Sequence, residues 1–394
     1  MATAERIHTA VVHAGADPEA FLGSLSVPVY RSSVYAFTSL DEAAAVHAGK
    51  APGYIYGRLG SPTQSALEDA VARLEGAEAA LATASGMAAI AVALLTILAP
   101  GDDLVASPTI YTSTRELFDE FLTAHGVTVT YAASADATDI VAAFSSRTRA
   151  VYVESPSNPA LGITDLQRVA AEARSAGVVS VADNTFATPF NQNPIARGFD
   201  VVCHSATKYL GGHGDLIGGL LAGRADVIAA ARWRTNKLLG AVISADTAWL
   251  ILRGLRTLAV RMERHNASAM TVASWLAQRE EVETVNYPGL AGHPGHDIAR
   301  AQMRGYGGVL SFTLPNGSAA KRLVEAVRLC RLGVSFGDVA TLIQPSAALT
   351  QAALSAESRK AAGVPEGLVR LSVGLEDVED LLADLDQAIG EAAA

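Results

Sequence analysis

The sequence has few cysteines, few basic residues and no long charge-free apolar run. Its two cysteines, Cys203 and Cys330, lie far apart in 394 residues and form no metal-ligand spacing, so neither a disulfide framework nor a zinc site is expected. Thirty Lys and Arg against 40 Asp and Glu give a net charge of −10. Such a balance lacks the electrostatic footprint of a nucleic-acid-binding protein. The longest charge-free apolar stretch, Met87 to Pro100, is too short to span a bilayer.

The composition that remains is typical of an enzyme. Apolar residues make up 50% of the chain, which excludes a disordered protein. The first residues, Met1 to Val11, include Glu5 and Arg6 and lack the apolar segment of a signal peptide. We therefore predict a soluble cytoplasmic enzyme that acts on a small molecule, without a nucleic-acid or membrane partner and without a metal.

Short β-rich runs alternate with helical patterns through the middle of the chain. One helix is predicted to begin at Ser61, because Ser61 and Gln64 form a capping box and Pro62 occupies the first helical position, and to end at Gly76. The predicted strands are 81–84, 103–107, 127–131, 150–154, 178–182 and 201–204. Buried strands separated by helices predict an α/β fold with a mostly parallel sheet and helices on both faces.

The two flanks of this region differ from it. Residues 1–60 show no sustained period and are predicted to form an extended N-terminal arm, and residues 61–253 are predicted to form the large domain. A long helical pattern from Asp246 to Gln278 leads into residues 254–394, which are predicted to form a smaller C-terminal α/β domain with strands over 307–314 and 368–373.

Polar residues follow the predicted strands. Ligands of parallel α/β sheets bind beyond the carboxyl ends of the strands. Four such ends carry Ser85 to Met87, Glu154, Asp183, and Ser205 to Lys208. A lysine amine can bind an aldehyde covalently, a carboxylate can keep a pyridine nitrogen protonated, and amides at a helix N-terminus suit a phosphate. Each of these residues alone is more often a helix cap or a solvated side chain. Their joint occurrence predicts a binding site for a phosphorylated pyridine aldehyde.

These residues resemble motifs of the Cys/Met-metabolism family of pyridoxal-phosphate (PLP) enzymes. That family includes methionine γ-lyase, cystathionine γ-lyase, cystathionine γ-synthase and the O-acyl-homoserine sulfhydrylases. The resemblance covers nearly the whole chain, and it implies a fold-type I PLP-dependent transferase. Its motifs are 56–58, 85–87, 154–159, 183–189, 205–215, 253–258 and 369–375.

The resemblance implies a role for individual residues. Lys208 is the lysine that binds PLP and moves protons, and Tyr111 stacks on the ring and acts at the leaving group. The implied cofactor-binding residues are Tyr56, Arg58, Ser85, Gly86, Met87, Tyr111, Asn158, Asp183, Ser205, Thr207 and Lys208. The implied substrate-binding positions are Arg370, Ser335, Asn158, Ser113, Ala340, Ile55 and Thr350. Tyr56 and Arg58 would reach the neighbouring subunit's cofactor, which implies shared sites in a homotetramer built as a dimer of dimers.

Several positions of the substrate pocket depart from the family pattern. Thr112 and Ser113 follow Tyr111 where Gly-Gly or Gly-Cys is usual, Phe336 replaces Leu, and Gln351 replaces His. Ile55 and Ala340 are apolar at positions where cystathionine-handling members carry carboxylates, and an unpartnered buried ammonium is costly.

We therefore expect γ-elimination on a methionine-like or O-substituted homoserine-like L-amino acid, of the methionine γ-lyase type. This reaction gives a 2-oxo acid, ammonia and the released γ-group. The alternatives are γ-replacement, as in the sulfhydrylases and γ-synthases, and a non-catalytic PLP-binding protein.

Overall fold

Two sheets organise the chain. A computed structural model describes residues 6–350, 352, 359 and 363–393. The large sheet has seven strands in the order β1-β7-β6-β5-β4-β2-β3, and the small sheet has five in the order β10-β11-β12-β9-β8. The strands are β1 Ala79–Thr83, β2 Asp103–Ala106, β3 Thr128–Tyr131, β4 Thr148–Glu154, β5 Val179–Asp183, β6 Val201–Ser205, β7 Gly219–Gly223, β8 Thr284–Asn286, β9 Val309–Thr313, β10 Arg331–Leu332, β11 Leu342–Pro345 and β12 Leu368–Ser372.

Helices connect most of these strands. They are α1 Ile7–His13, α2 Leu40–His47, α3 Pro62–Glu75, α4 Gly86–Ile97, α5 Thr112–Glu116, α6 Ala137–Ala142, α7 Leu166–Ser175, α8 Thr188–Asn191, α9 Ala225–Ala230, α10 Lys237–Leu239, α11 Ala245–Leu255, α12 Leu258–Leu276, α13 His296–Gln302, α14 Gly317–Ala326 and α15 Val378–Ala393. Wider π-helical turns occupy Leu117–Leu122 and Ala231–Asn236, and a 3₁₀ turn occupies Ile195–Arg197. No helix within the described ranges is both long and apolar enough to cross a membrane.

The predicted α/β architecture is confirmed. In the large sheet β2 through β6 pair in parallel, and β7 runs antiparallel to both β1 and β6. The carboxyl ends of β1 and of the parallel strands therefore meet at one edge, where the sequence places its polar residues. The strand β7 was not predicted, because Gly219 and Gly223 bracket only three apolar residues and leave no periodic pattern.

The predicted helix after Ser61 has the expected ends. The Ser61 hydroxyl accepts a hydrogen bond from the backbone N–H of Gln64 at 3.3 Å, and Pro62 is the first helical residue. Gly76 ends the helix in a left-handed conformation with φ of 69°. The buried face of α3, which includes Leu67 and Val71, packs against α11 and the large sheet, and so α3 covers the sheet near its polar edge.

The N-terminal arm is not wholly extended as predicted, because α1 and α2 interrupt it. Ser39 caps α2 by accepting the backbone N–H of Glu42 at 3.1 Å, and Val46 is buried on the same short helix. These helices are too short to produce a sustained period in the sequence. The helical pattern over 246–278 forms two helices, α11 and α12, separated at Arg256 and Thr257. The division of the chain at residues 60 and 253 stays a prediction.

Candidate active site

A cavity of about 390 Å³ opens at the polar edge of the large sheet. The strands β4, β5 and β6 end there in Glu154, Asp183 and Ser205, and all three residues line the cavity. Arg370 of the small sheet closes the other side, together with Val334 to Phe336 and Thr350 from the segments between its strands. Most of the predicted site residues share this lining, namely Ser85, Gly86, Met87, Tyr111, Asn158, Asp183, Ser205, Thr207, Lys208, Ser335, Thr350 and Arg370.

The N-terminus of α4 forms one end of the cavity. The Ser85 hydroxyl accepts the backbone N–H of Ala88 at 3.1 Å and so caps the helix. A Cβ atom at Gly86 would lie 2.7 Å from the Cβ of Ser205, so only glycine lets the helix approach the end of β6 this closely. The unpaired amides of a first helical turn attract anions. With the hydroxyls of Ser205 and Thr207 beside them, they form a cradle suited to a phosphate.

The Asp183 carboxylate is held by two donors at the centre of the site. The backbone N–H of Thr185 donates to its Oδ1 at 2.9 Å, and the Tyr152 hydroxyl donates to its Oδ2 at 3.3 Å. The Thr185 hydroxyl also accepts the backbone N–H of Ser205 at 2.9 Å, which ties β5 to β6. A carboxylate fixed in this way can pair with a protonated ring nitrogen.

Lys208 projects its amine into the same cavity. Its Nζ donates to the Ser335 hydroxyl at 2.5 Å and lies 5.0 Å from the centre of the Phe336 ring. Burial, and then repulsion by the nearby Arg370 guanidinium, lower the pKa of Lys208 to about 8. More of the amine is therefore neutral near pH 7 than for an exposed lysine, and the neutral form is the nucleophile and the base.

Arg370 is a buried arginine on β12 with a constrained guanidinium. Its Nη1 donates to the Asn158 side-chain oxygen at 3.0 Å, and its Nη2 donates to the Ser335 carbonyl at 2.6 Å. Gln344 lies opposite Arg370 in the strand pairing, and turning its amide lets its oxygen accept from Arg370 at 3.0 and 3.2 Å. Burial lowers the pKa of Arg370 to about 10, and the side chain stays cationic at neutral pH. These partners orient it to receive a carboxylate.

Glu154 supports the two segments that carry Tyr111 and Asn158. Its buried carboxyl accepts the backbone N–H of Tyr111 at 2.8 Å and that of Asn158 at 3.0 Å. Burial and then the charge of Asp183 hold the pKa of Glu154 well above its ordinary value. The sequence placed Glu154 at a strand end without a role, and Gln344 gave no signal there at all. The only sequence signal for Glu154 was its position as a charged residue at the end of a predicted strand, before a loop.

The wall near Lys208 and Arg370 is largely aromatic and apolar. The Phe336 ring packs on Phe186 with centroids 4.2 Å apart, and Ile217 and Val334 extend this surface. Thr350 continues it, and its carbonyl accepts a hydrogen bond from the Thr112 hydroxyl at 2.9 Å. Sequence reasoning did not identify Phe186, Ile217 and Val334 as site residues, since an apolar side chain in a loop carries no chemical signal.

Other predicted site residues lie away from the cavity lining. Ser113 and Ala340 are partly buried outside it, and Ile55 lines a separate cavity beside Arg232. Tyr56 and Arg58 are exposed, and an Arg58 Nη1–H donates to the Lys237 carbonyl at 2.6 Å. Gln351 lies outside the described residues. The contribution of Tyr56 and Arg58 to the site of a neighbouring subunit stays a prediction, and so do the substrate-binding roles of Ser113, Ala340 and Ile55.

The donor set fits PLP. The cradle at Gly86 would be filled by any Cβ, the carboxylate of Asp183 is already fixed by hydrogen bonds, and the amine of Lys208 lies on the same cavity. These groups correspond to the phosphate, the ring nitrogen and the aldehyde of the cofactor. No group of three or more His, Cys, Asp or Glu side chains that could hold a metal occurs in the described part of the chain.

Known proteins that resemble this chain match it over nearly its whole length. An L-methionine gamma-lyase of Fusobacterium nucleatum subsp. nucleatum is 43% identical over 384 residues, which cover 97% of each chain. A cystathionine beta-lyase of Lactococcus lactis subsp. cremoris is 40% identical over 383 residues, covering 97% of this chain and 98% of the relative.

Solved structures agree with these relatives. A crystal structure of cystathionine gamma synthase from Xanthomonas oryzae pv. oryzae in complex with cystathionine superposes with a TM-score of 0.93 at 38% identity, over 99% of both chains. The family described as Cys/Met metabolism PLP-dependent enzyme matches residues 8–390. With the cavity described above, these matches identify the chain as a member of the Cys/Met metabolism PLP-dependent enzyme family.

Proposed function

We propose that the chain catalyses γ-elimination on a methionine-like or O-substituted homoserine-like L-amino acid, giving a 2-oxo acid, ammonia and the released γ-group. The observation that carries the proposal is the charge of the cavity lining. Its carboxyl groups among the described residues are those of Glu154 and Asp183, and backbone N–H groups already bind both. A second ammonium on the substrate would find no unengaged carboxylate there, whereas a thioether would meet the Phe336 wall.

The residues of this chain supply binding and proton transfer. Bound PLP supplies an electron sink for the substrate carbon atoms. Arg370, oriented by Asn158 and Ser335, binds the substrate α-carboxylate, for which a planar guanidinium is matched. Lys208 takes the Cα proton, helped by its lowered pKa, and Tyr111 delivers a proton to the departing γ-group.

The cofactor is held by the same strand ends. Gly86, Met87, Ser205 and Thr207 bind its phosphate, and Asp183 pairs with its ring nitrogen. Tyr56 and Arg58 complete the phosphate site of a neighbouring subunit, so the active form is an oligomer with shared sites. The exposure of these two side chains on the N-terminal arm supports this proposal.

γ-Replacement is a second candidate function. The structural likeness to a cystathionine gamma synthase bound to cystathionine favours it. Elimination and replacement share every step up to loss of the γ-group. In elimination, water then hydrolyses the released imine at its α-carbon to the 2-oxo acid and ammonia, whereas in replacement another nucleophile adds at the γ-carbon. A cavity open to solvent beside the exposed Ile217 and Val334 is compatible with either acceptor.

The distinguishing experiment is product analysis with a substrate panel. Methionine, homocysteine, cystathionine, O-acetylhomoserine and O-succinylhomoserine are each tested with and without a thiol, and the Lys208→Ala variant serves as the blank. We expect 2-oxobutanoate and ammonia from methionine without added thiol. Strict dependence of turnover on the added thiol would move the assignment to a γ-replacing transferase. Cystathionine as the best substrate by kcat/KM would contradict the charge argument.

A further inference from the structure

A buried carboxylate lies behind the cofactor-facing residues, on the opposite side of the large sheet. Glu75 is the last residue of α3, and only 1% of it is exposed. A carboxylate at a helix C-terminus is disfavoured by the helix dipole, and burying it adds a desolvation cost. Helix formation therefore gives no reason for glutamate at this position, and the reason lies in what the side chain contacts.

Glu75 joins the two strands that present Asp183 and Ser205 to the cavity. Its Oε1 accepts from His204 Nε2 at 2.5 Å and from the Asn184 side-chain amide at 3.1 Å. His204 directly precedes Ser205 and Asn184 directly follows Asp183. Successive residues of an extended chain point to opposite faces, so a contact on one face fixes the direction of the neighbour on the other. One carboxylate oxygen thus sets the relative position of two residues assigned to the cofactor.

The network extends to a third strand end. The Gln192 side-chain amide donates to the Asn184 side-chain oxygen at 3.1 Å and to the Ser155 carbonyl at 2.8 Å. Ser155 follows Glu154, whose carboxyl holds Tyr111 and Asn158 in place. Asn184, Gln192 and His204 are all buried, so water does not compete for these hydrogen bonds.

We propose that Glu75 is a positioning residue for the PLP site. Through His204 and Asn184 it holds the carboxylate of Asp183 and the hydroxyl of Ser205 at the separation that the ring nitrogen and the phosphate of PLP require. Glu75 itself does not line the cavity, and it acts on the site through His204 and Asn184; its other oxygen accepts a longer hydrogen bond from the Asn193 side-chain amide at 3.4 Å. The inference depends on the cofactor assignment and is independent of which γ-reaction the enzyme catalyses.

The test compares Glu75→Ala with Asp384→Ala in the 394-residue chain. Asp384 is also a buried carboxylate on a helix, α15, but its partners are the backbone N–H groups of Arg328, Leu329 and Cys330 next to the small sheet. Both variants are expected to lower the Tm. PLP affinity is measured by titration, and the ellipticity of the PLP absorbance band reports how the bound ring is oriented.

Glu75→Ala is expected to weaken PLP binding roughly tenfold or more, the scale seen when the partners behind metal ligands are removed, and to change the ellipticity per bound PLP. Asp384→Ala is expected to change neither. Glu75→Gln keeps an oxygen acceptor for His204 and should recover most of the affinity. Equal PLP affinity and ellipticity in the two alanine variants would overturn the proposal. PLP affinity as low in Glu75→Gln as in Glu75→Ala would also overturn it.

Asn184→Ala supplies the same test if Glu75→Ala does not give soluble protein. It removes the link between Glu75 and Gln192 without leaving a buried charge unpaired. Weaker PLP binding with altered ellipticity would support the proposal, and PLP binding like that of the unmodified chain would contradict it. PLP affinity and ellipticity do not depend on which γ-reaction the enzyme catalyses, so a wrong assignment of that reaction would leave the outcome of this test unchanged.

Discussion

Lys208 and Arg370 are two cations on one cavity, and the guanidinium lowers the basicity of the amine. Burial is the larger cause and the charge of Arg370 the second, and together they lower the pKa of Lys208 to about 8. Ser335 contacts both side chains, through its hydroxyl to Lys208 and through its carbonyl to Arg370. The residue that binds the cofactor and the residue assigned to the substrate carboxylate are therefore electrostatically linked before either ligand arrives.

The rate at which the cofactor-free enzyme captures PLP should depend on pH. Only the neutral amine attacks an aldehyde, so the rate should rise about tenfold per pH unit below the pKa of Lys208 and level off above about 8. The measurement is the rate of appearance of bound PLP absorbance after mixing with the cofactor-free enzyme. An unburied lysine analogue such as N-acetyl-lysine amide is the control and should keep rising past pH 10. A protein rate that also rises past pH 10 would show that the amine is not perturbed.

Lys208→Ala should abolish covalent attachment of PLP and the activity together. The cavity would keep its phosphate cradle at Gly86, but no amine would remain at the position of the aldehyde. The absorbance of attached PLP and its stability to gel filtration are measured, with Lys321→Ala as the control because Lys321 is exposed on α14. A full absorbance band in Lys208→Ala would be incompatible with the assignment.

Arg370→Lys should impair substrate use while PLP absorbance stays unchanged. Lysine keeps the charge but loses the paired donors that match a carboxylate, a loss of about 1.5–3 kcal/mol, or roughly 10- to 150-fold in kcat/KM. The steady-state constants for methionine and the absorbance spectrum are compared with those of Arg328→Lys. Arg328 is exposed beside Glu391 and should tolerate the change. An unaltered kcat/KM in Arg370→Lys would remove Arg370 from the substrate site.

The site was most predictable from the sequence for residues that the order of the strands alone brings together. Asp183 ends β5 and Lys208 follows β6, and neighbouring parallel strands bring their carboxyl ends to one edge of the sheet however the helices pack. The phosphate cradle was predictable for the same reason, since Ser85 and Gly86 begin a helix directly after β1.

Contacts that depend on tertiary packing were not predictable. Gln344 faces Arg370 only because β11 and β12 pair in one particular register, and no local pattern fixes that register. Glu75 looked like an ordinary polar residue at the end of α3, and its burial arises from the packing of α3 against β1 and β7, which brings the end of the helix to His204. Phe186 and Phe336 lie far apart in the chain and meet only in the folded protein.

Arg58→Ala should weaken cofactor retention if the N-terminal arm serves a neighbouring subunit. Loss of a charge-assisted phosphate contact costs about 2–3 kcal/mol, so PLP should dissociate at a concentration roughly 30- to 150-fold higher. Mixing Arg58→Ala with Lys208→Ala chains should restore part of the activity, because one hybrid site carries both intact residues. Arg147→Ala, an exposed arginine paired with Asp103, is the control for both measurements. An active monomer by light scattering would contradict the shared site.

Phe336→Leu should broaden the range of γ-substituents that the enzyme accepts. The Phe336 ring packs on Phe186 and lies over the amine of Lys208, so a smaller side chain enlarges the cavity on the side assigned to the γ-group. One extra methylene in an apolar pocket is worth about 1–3 kcal/mol, and the kcat/KM ratio of ethionine to methionine should therefore rise by up to roughly tenfold.

The free energy of unfolding of Phe336→Leu should fall by about 0.5–1.5 kcal/mol from loss of the aromatic pair alone, and further from the lost packing. Phe312→Leu, a buried change in β9 away from the cavity, is the control for stability without an effect on specificity. An ethionine-to-methionine ratio that moves no more in Phe336→Leu than in Phe312→Leu would place the γ-group on another wall.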